Sequence, residues 1–388
     1  MLYNFYYDLA IISQYTYYEK PNEYKNSKFF KNLHYITSYT VDNPYVHVSQ
    51  YENKDILIVA ISGTATLVNA LYDIIGFQEQ TIYNDNKDIL VHSGLFDEYN
   101  KIKPLLNKYD LLKLLRTTKK KIILTGHSSG GSLSTFLLLD IINKHNINNI
   151  VLCLFAAPRI GNEKFFEYFN NKFPKNTVTI QKLKINNTHL VINEQDVIPQ
   201  SPPHTIPGFL VGISESIIII SLLSIIYGLI RNIYLIFSKK ARCKQKYSRK
   251  IYDDIILFVG LSLLFIIISG IVIQIIHKTI VYRHPIVNIF VLQSNKYIDN
   301  IENKSYIFYK ILLYILSDLL LFVFIITTLK YVFCDGINIY VYIMFVILTV
   351  VILYLIIREL LSIFNKHLIN TYISLLDKLS SQNPRNDK

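Results

Sequence analysis

The chain has 388 residues, room for two or three domains, and Lys+Arg 40 against Asp+Glu 28 give it a formal net charge of +12. That surplus does not describe a nucleic-acid groove. Lys239, Lys240, Arg242, Lys244, Lys246, Arg249 and Lys250 crowd into one short stretch without an acid, between two apolar segments, which is a membrane-edge pattern. Cys153, Cys243 and Cys334 are odd in number and lack CxxC spacing, so neither a disulfide framework nor a zinc site is indicated.

In chain order, the first twenty residues lack a basic region and a long apolar core, and no secretory signal peptide is expected. Tyr45–Glu52 and Ile56–Ser62 are predicted strands, and Phe96–Leu115 is predicted mainly helical. Lys121–Gly126 is a predicted buried strand, Ser132–Lys144 a helix, and Asn149–Ala157 another buried strand. Apolar strands alternating with helices imply a mostly parallel sheet covered on both faces, an α/β domain over residues 1–208.

After Pro207 the pattern changes. Ile255–Ile276 and Ile337–Ile357 carry no charge, and Ile311–Leu329 is interrupted only by Asp318. Each can span about 30 Å of hydrocarbon at about 1.5 Å per residue. With a fourth run centred on Ser216–Ile230, four transmembrane helices are expected, at about 213–237, 255–277, 311–329 and 337–357. They make 209–357 an all-α membrane region, and the protein an integral, multi-pass one. The amphipathic segment 358–380 is expected to be a helix that completes the α/β domain, with 381–388 a polar tail. Sidedness stays open. The basic loop favours a cytoplasmic face for itself, which puts the α/β part outside, whereas the missing signal peptide argues the reverse.

Gly126-His127-Ser128-Ser129-Gly130 fits G-x-S-x-G, with an apolar strand leading in and a helix leaving. At such a turn the serine takes a strained backbone conformation, tolerable only where Gly126 and Gly130 lack bulk. Its hydroxyl then stands at the start of a helix whose positive end favours an oxyanion. Four more segments surround it in order: Ile61-Ser62-Gly63-Thr64, Val91-His92-Ser93-Gly94, Pro158-Arg159-Ile160-Gly161-Asn162 and Asp196-Val197-Ile198-Pro199. Over roughly Tyr45 to Pro203 the chain thus resembles the class 3 lipases, the fungal-lipase-like branch of the α/β-hydrolases. Ser62 stands where that family usually has arginine, Ser129 where it has leucine, and Ala70 where a tryptophan is frequent.

The resemblance implies Ser128 as nucleophile and Asp196 as the acid of a Ser-His-Asp triad. It also implies an oxyanion hole made by the backbone N–H of Ser129 and by Thr64. His92 and His127 read as structural neighbours, because the base follows the acid in this fold. His204, His277, His284 and His367 lie downstream. The gap from Asp196 to His367 is long, and removing 209–357 leaves a short one. An even number of crossings returns the chain to the side it left, which admits both His284 and His367. The H-x(4)-Y context of His367 and Tyr372, found near the end of many class 3 lipase domains, selects His367 as the expected base. The function expected is hydrolysis of lipid esters, acylglycerols first and phospholipids second, through an acyl-enzyme at a bilayer. Neither a metal nor another cofactor, nor a nucleic-acid partner, is expected. A lipid acyltransferase and a membrane scaffold with an inactive lipase-like domain are the alternatives.

Overall fold

A computed structural model describes residues 1–18, 27–42, 45–63, 78–80, 88–142, 149–196, 198–200, 284, 288–298, 358 and 365–382. The chain divides into two units: Met1–His204 with Val281–Ser305 and Ser362–Lys388, and Thr205–Ile280 with Tyr306–Leu361. Every element below belongs to the first. All four apolar runs lie outside the described residues, and among the described residues no helix is long and apolar enough to cross a membrane.

Among the described residues the sheet has eight strands: β1 (His34–Asp42), β2 (Tyr45–Glu52), β3 (Ile56–Ile61), β6 (Lys121–His127), β7 (Ile150–Phe155), β10 (Thr188–Ile192), β11 (Ile289–Val291) and β12 (Lys296–Ile298), in that spatial order. β3, β6, β7, β10 and β11 run parallel, while β1, β2 and β12 pair antiparallel at the two margins. Two small two-stranded sheets are also described, β4 (Gln78–Gln80) with β5 (Leu90–His92), and β8 (Thr177–Ile180) with β9 (Leu183–Asn186). The fold is α/β, with a mostly parallel sheet.

The central strands are apolar throughout because both faces are covered. Leu57, Val59, Ile61, Ile122 and Leu124 share one core with α2 (Ser93–Lys108), α3 (Leu111–Thr117), α4 (Ser129–Ile142) and α5 (Glu163–Lys172). Their alternates Ile56, Ile58, Ala60 and Ile123 share the other with α1 (Leu2–Tyr15) and α6 (Ile369–Gln382). This period-two division of one strand between two cores builds three layers.

Two expectations gain detail from the structure. Phe96–Leu115 is two helices, because Asp110 sits at φ 55 and ends the first turn-by-turn ladder before α3 begins. The interval 209–357 is not wholly separate from the α/β unit. Residues 289–298 extend the sheet as β11 and β12, with β11 pairing β10 through Leu190, Val191 and Ile192. Burying the apolar Ile289, Phe290, Val291 and Leu292 on that edge accounts for the placement.

On the α1 face, His189 is buried and neutral. Its Nε2–H donates to the Asn186 carbonyl at 2.8 Å, and its Nδ1 accepts from the Tyr6 hydroxyl at 2.8 Å. Burial pushes its pKa from 6.5 down to about 4. The unfolded chain therefore binds a proton near pH 6.5 that the folded chain refuses until about pH 4. Stability is intact above the unfolded pKa and falls as pH drops towards 4, by roughly 3 kcal/mol from this group. Protection of the β10 amides against hydrogen exchange should weaken over that interval in the wild type and much less in His189→Gln.

Candidate active site

β6 ends at His127, and Ser128 follows in the left-handed region with φ 58. A non-glycine residue there carries strain on the order of 1–3 kcal/mol, sustained only by its surroundings. Here those surroundings are rigid. The Ser128 N–H donates to the Phe155 carbonyl at 2.9 Å, and the Gly131 N–H donates to the Ser128 carbonyl at 3.0 Å. A Cβ on Gly126 would lie 2.5 Å from the Gly130 carbonyl carbon, and one on Gly130 would lie 2.6 Å from the Ser62 carbonyl and press on that of Ile61. The two glycines let β6, α4 and the end of β3 meet.

Three side chains from distant parts of the chain converge at this turn. His367 Nδ1 lies 2.8 Å from Asp196 Oδ2, and His367 Nε2 lies 3.0 Å from Ser128 Oγ. Asp196 is 0% exposed, His367 7% and Ser128 8%. Since the carboxylate can only accept, Nδ1 carries the proton and Nε2 accepts from the serine hydroxyl. Asp196 is further held by the Tyr372 hydroxyl, which donates to Oδ2 at 2.7 Å and accepts from the Asn193 N–H at 2.9 Å. Burial, then the neighbouring Asp196 charge, push the Tyr372 pKa well up, so it stays a donor. The Ile198 N–H donates to Asp196 Oδ1 at 2.9 Å. The arrangement can move a proton from the serine to the imidazole and hold the resulting cation against a buried carboxylate.

His127 occupies a second position beside the base. Its ring lies 4.7 Å from that of His367, and its Nε2–H donates to the His367 carbonyl at 2.8 Å. Its Nδ1 therefore accepts from the Tyr17 hydroxyl at 2.9 Å, which in turn accepts from the Gly63 N–H at 3.2 Å. Burial, with His367 close by, pushes the His127 pKa well down. A neutral His127 adds no charge to oppose an imidazolium on His367.

Ser129, fully buried, opens α4; Thr64 lies outside the described residues, as do His204 and His277. His284 is buried, but its Nε2 donates to the Pro199 carbonyl rather than meeting Ser128. The remaining sequence motifs brace the site. His92 caps α2 by accepting from the Leu95 N–H at 3.4 Å, and Asn162 caps α5 by accepting from the Phe165 N–H at 2.9 Å. Between them, the His92 N–H donates to the Ile160 carbonyl and the Asn162 N–H to that of Leu90. The roles of Tyr17, Asn193 and Tyr372 are contacts across the fold. Only the H-x(4)-Y spacing marked one of them in the sequence. Among the described residues, no group of three or more His, Cys, Asp or Glu is placed to hold a metal ion.

Comparison with known proteins places this geometry in context. Residues 58–206 match the family model for lipase (class 3). The lipase of Rhizomucor miehei is 24% identical over 166 residues, 42% of this chain and 42% of that protein. The lipase of Rhizopus niveus is 23% identical over 184 residues, 45% of this chain and 42% of that protein. The chain thus spans less than half the length of these relatives. The crystal structure of lipase from Rhizopus microsporus var. chinensis superposes with a TM-score of 0.43 at 19% identity, covering 52% of this chain and 69% of that one. Over residues 58–206, then, the chain is similar to the class 3 lipases.

Proposed function

We propose that the protein is a membrane-embedded serine hydrolase of lipid esters, acylglycerols first, working through Ser128, His367 and Asp196. The observation that carries the reading is the hydrogen-bonded line Asp196–His367–Ser128, at 2.8 and 3.0 Å, drawn from positions far apart in the chain. The lipase match over 58–206 supports the choice of ester chemistry. The four apolar runs of the sequence support a bilayer location.

The chemistry follows from the geometry. His367 Nε2 takes the Ser128 proton as Oγ attacks the ester carbonyl, while Nδ1–H stays bonded to Asp196. The developing oxyanion faces the start of α4, where the backbone N–H of Ser129 is the proposed donor, together with Thr64. Imidazolium then protonates the leaving alcohol, and an acyl group remains on Ser128. Water, deprotonated by His367, resolves the ester and restores the serine. Tyr372 keeps the Asp196 carboxylate fixed by donating to it. No cofactor enters any step.

A fluorophosphonate probe tests the reading on the full chain in detergent or lipid. The expected result is a single adduct on Ser128, lost in Ser128→Ala, with hydrolysis of a short-chain ester lost alongside. A folded wild-type protein that neither reacts with the probe nor hydrolyses the ester would overturn it.

A further inference from the structure

We propose that Asn193 and Gln293 are positioning residues for the base His367, and that the β11–β12 hairpin is therefore part of the hydrolytic machinery. This rests on the reading given above. The long interval between acid and base is a spacer in sequence, yet its middle comes back to the site.

Asn193 sits three residues before Asp196 and is buried. Its Nδ2 donates to the carbonyl of Lys366, the residue before His367, at 2.9 Å. Its backbone N–H donates to the Tyr372 hydroxyl that holds Asp196. Its Oδ1 accepts from the Gln195 N–H at 3.1 Å and from Gln293 Nε2. With two donors on the oxygen, the amide can only turn its nitrogen towards Lys366. Asn193 is thus bonded to the acid side and the base side of the line at once.

Gln293 fixes that amide from the hairpin. Its side chain spans the turn at two points, donating to Asn193 Oδ1 and accepting from the Glu194 N–H at 2.8 Å. The Leu292 N–H donates to the Ile192 carbonyl at 3.0 Å and extends the β10–β11 register up to this turn. On its other side the hairpin is tied to α1. The Tyr3 hydroxyl donates to Asn295 Oδ1 at 2.8 Å, and the Tyr6 and Tyr297 hydroxyls lie 2.8 Å apart. Gln293 is therefore delivered by a segment anchored on both flanks. Placement of His367 Nε2 against Ser128 Oγ depends on where Lys366 is held, and a displacement of about 1 Å at a reacting group costs on the order of 10²-fold in rate.

The test uses the full-length protein, a soluble short-chain ester and the fluorophosphonate probe. Asn193→Ala is expected to lower kcat about 10²-fold, with KM within about twofold, and to slow labelling of Ser128 in proportion. Gln293→Ala should lower kcat about 10-fold in the same KM-sparing way. The double variant should be no slower than Asn193→Ala alone, because both act through one amide. Should Asn193→Ala fail to fold, the exposed Gln293 carries the test alone, with Gln293→Ala and Gln293→Glu both expected to lose kcat. Folded variants with wild-type kcat and labelling rates, or losses that multiply in the double variant, would overturn the proposal while leaving the hydrolase reading in place. A wild-type protein inert to ester and probe would overturn both.

Discussion

His367→Ala is expected to abolish labelling of Ser128 and to lower ester turnover by about 10⁴-fold or more, the scale at which loss of a triad base is felt. The loss is large because, among the described residues, the imidazole in reach of Ser128 Oγ is that of His367, with Nε2 at 3.0 Å. His127 cannot replace it. Its Nε2–H is committed to the His367 carbonyl, its Nδ1 to Tyr17, and its basicity is depressed by burial. His284→Ala and His204→Ala should leave labelling within severalfold of wild type. His284 already spends Nε2 on the Pro199 carbonyl, so its change acts on stability instead. Probe labelling and kcat on a soluble ester decide the matter, and a folded, active His367→Ala protein would end the assignment.

Gly130→Ala is expected to be the most damaging single methyl in the elbow. The added carbon would meet the carbonyls of Ile61 and Ser62, both backbone atoms in the strand that leads to Gly63 and Thr64. Backbone cannot swing aside as a side-chain tip does, so the cost should reach or exceed about 3 kcal/mol, the upper part of the range for overpacking. The same displacement would move the end of β3 away from Ser128, so turnover should fall even in molecules that remain folded. Thermal unfolding and probe labelling together separate the two effects. A Gly130→Ala protein with wild-type melting and labelling would show that β3 and α4 are less tightly joined than this contact requires.

How much of this was legible in the sequence depends on whether a demand is local. The elbow was, because an apolar strand, a strained serine, two obligatory small residues and a helix start all fall between Lys121 and Leu139. The unbroken apolar run Ile56–Ile61 was equally readable as a strand buried on both faces. β11 and β12 were not, since each spans three residues and they lie between apolar runs that dominate the pattern. Helix α1 was hidden by its aromatic richness and by Asp8, which sits in the core by accepting from Ser27 and from the backbone of Lys28, Phe29 and Phe30. The break at Asp110 carries neither Gly nor Pro to announce it. Thr64 and the four apolar runs were legible as motifs, but they lie outside the described residues.

The order in which the site's parts are synthesised sets when it can work. His367 is 239 positions after Ser128 and 171 after Asp196. At roughly 5–20 residues per second, a ribosome needs roughly 10–30 s to travel from the acid to the base. Throughout that time the nascent chain carries a strained serine with nothing to take its proton. Under the proposed chemistry the enzyme is born latent, and it becomes competent only when His367 and α6 have left the ribosome and α6 packs against α1. On that chemistry, a message truncated before that point is expected to yield an inert protein, however complete its lipase-like segment.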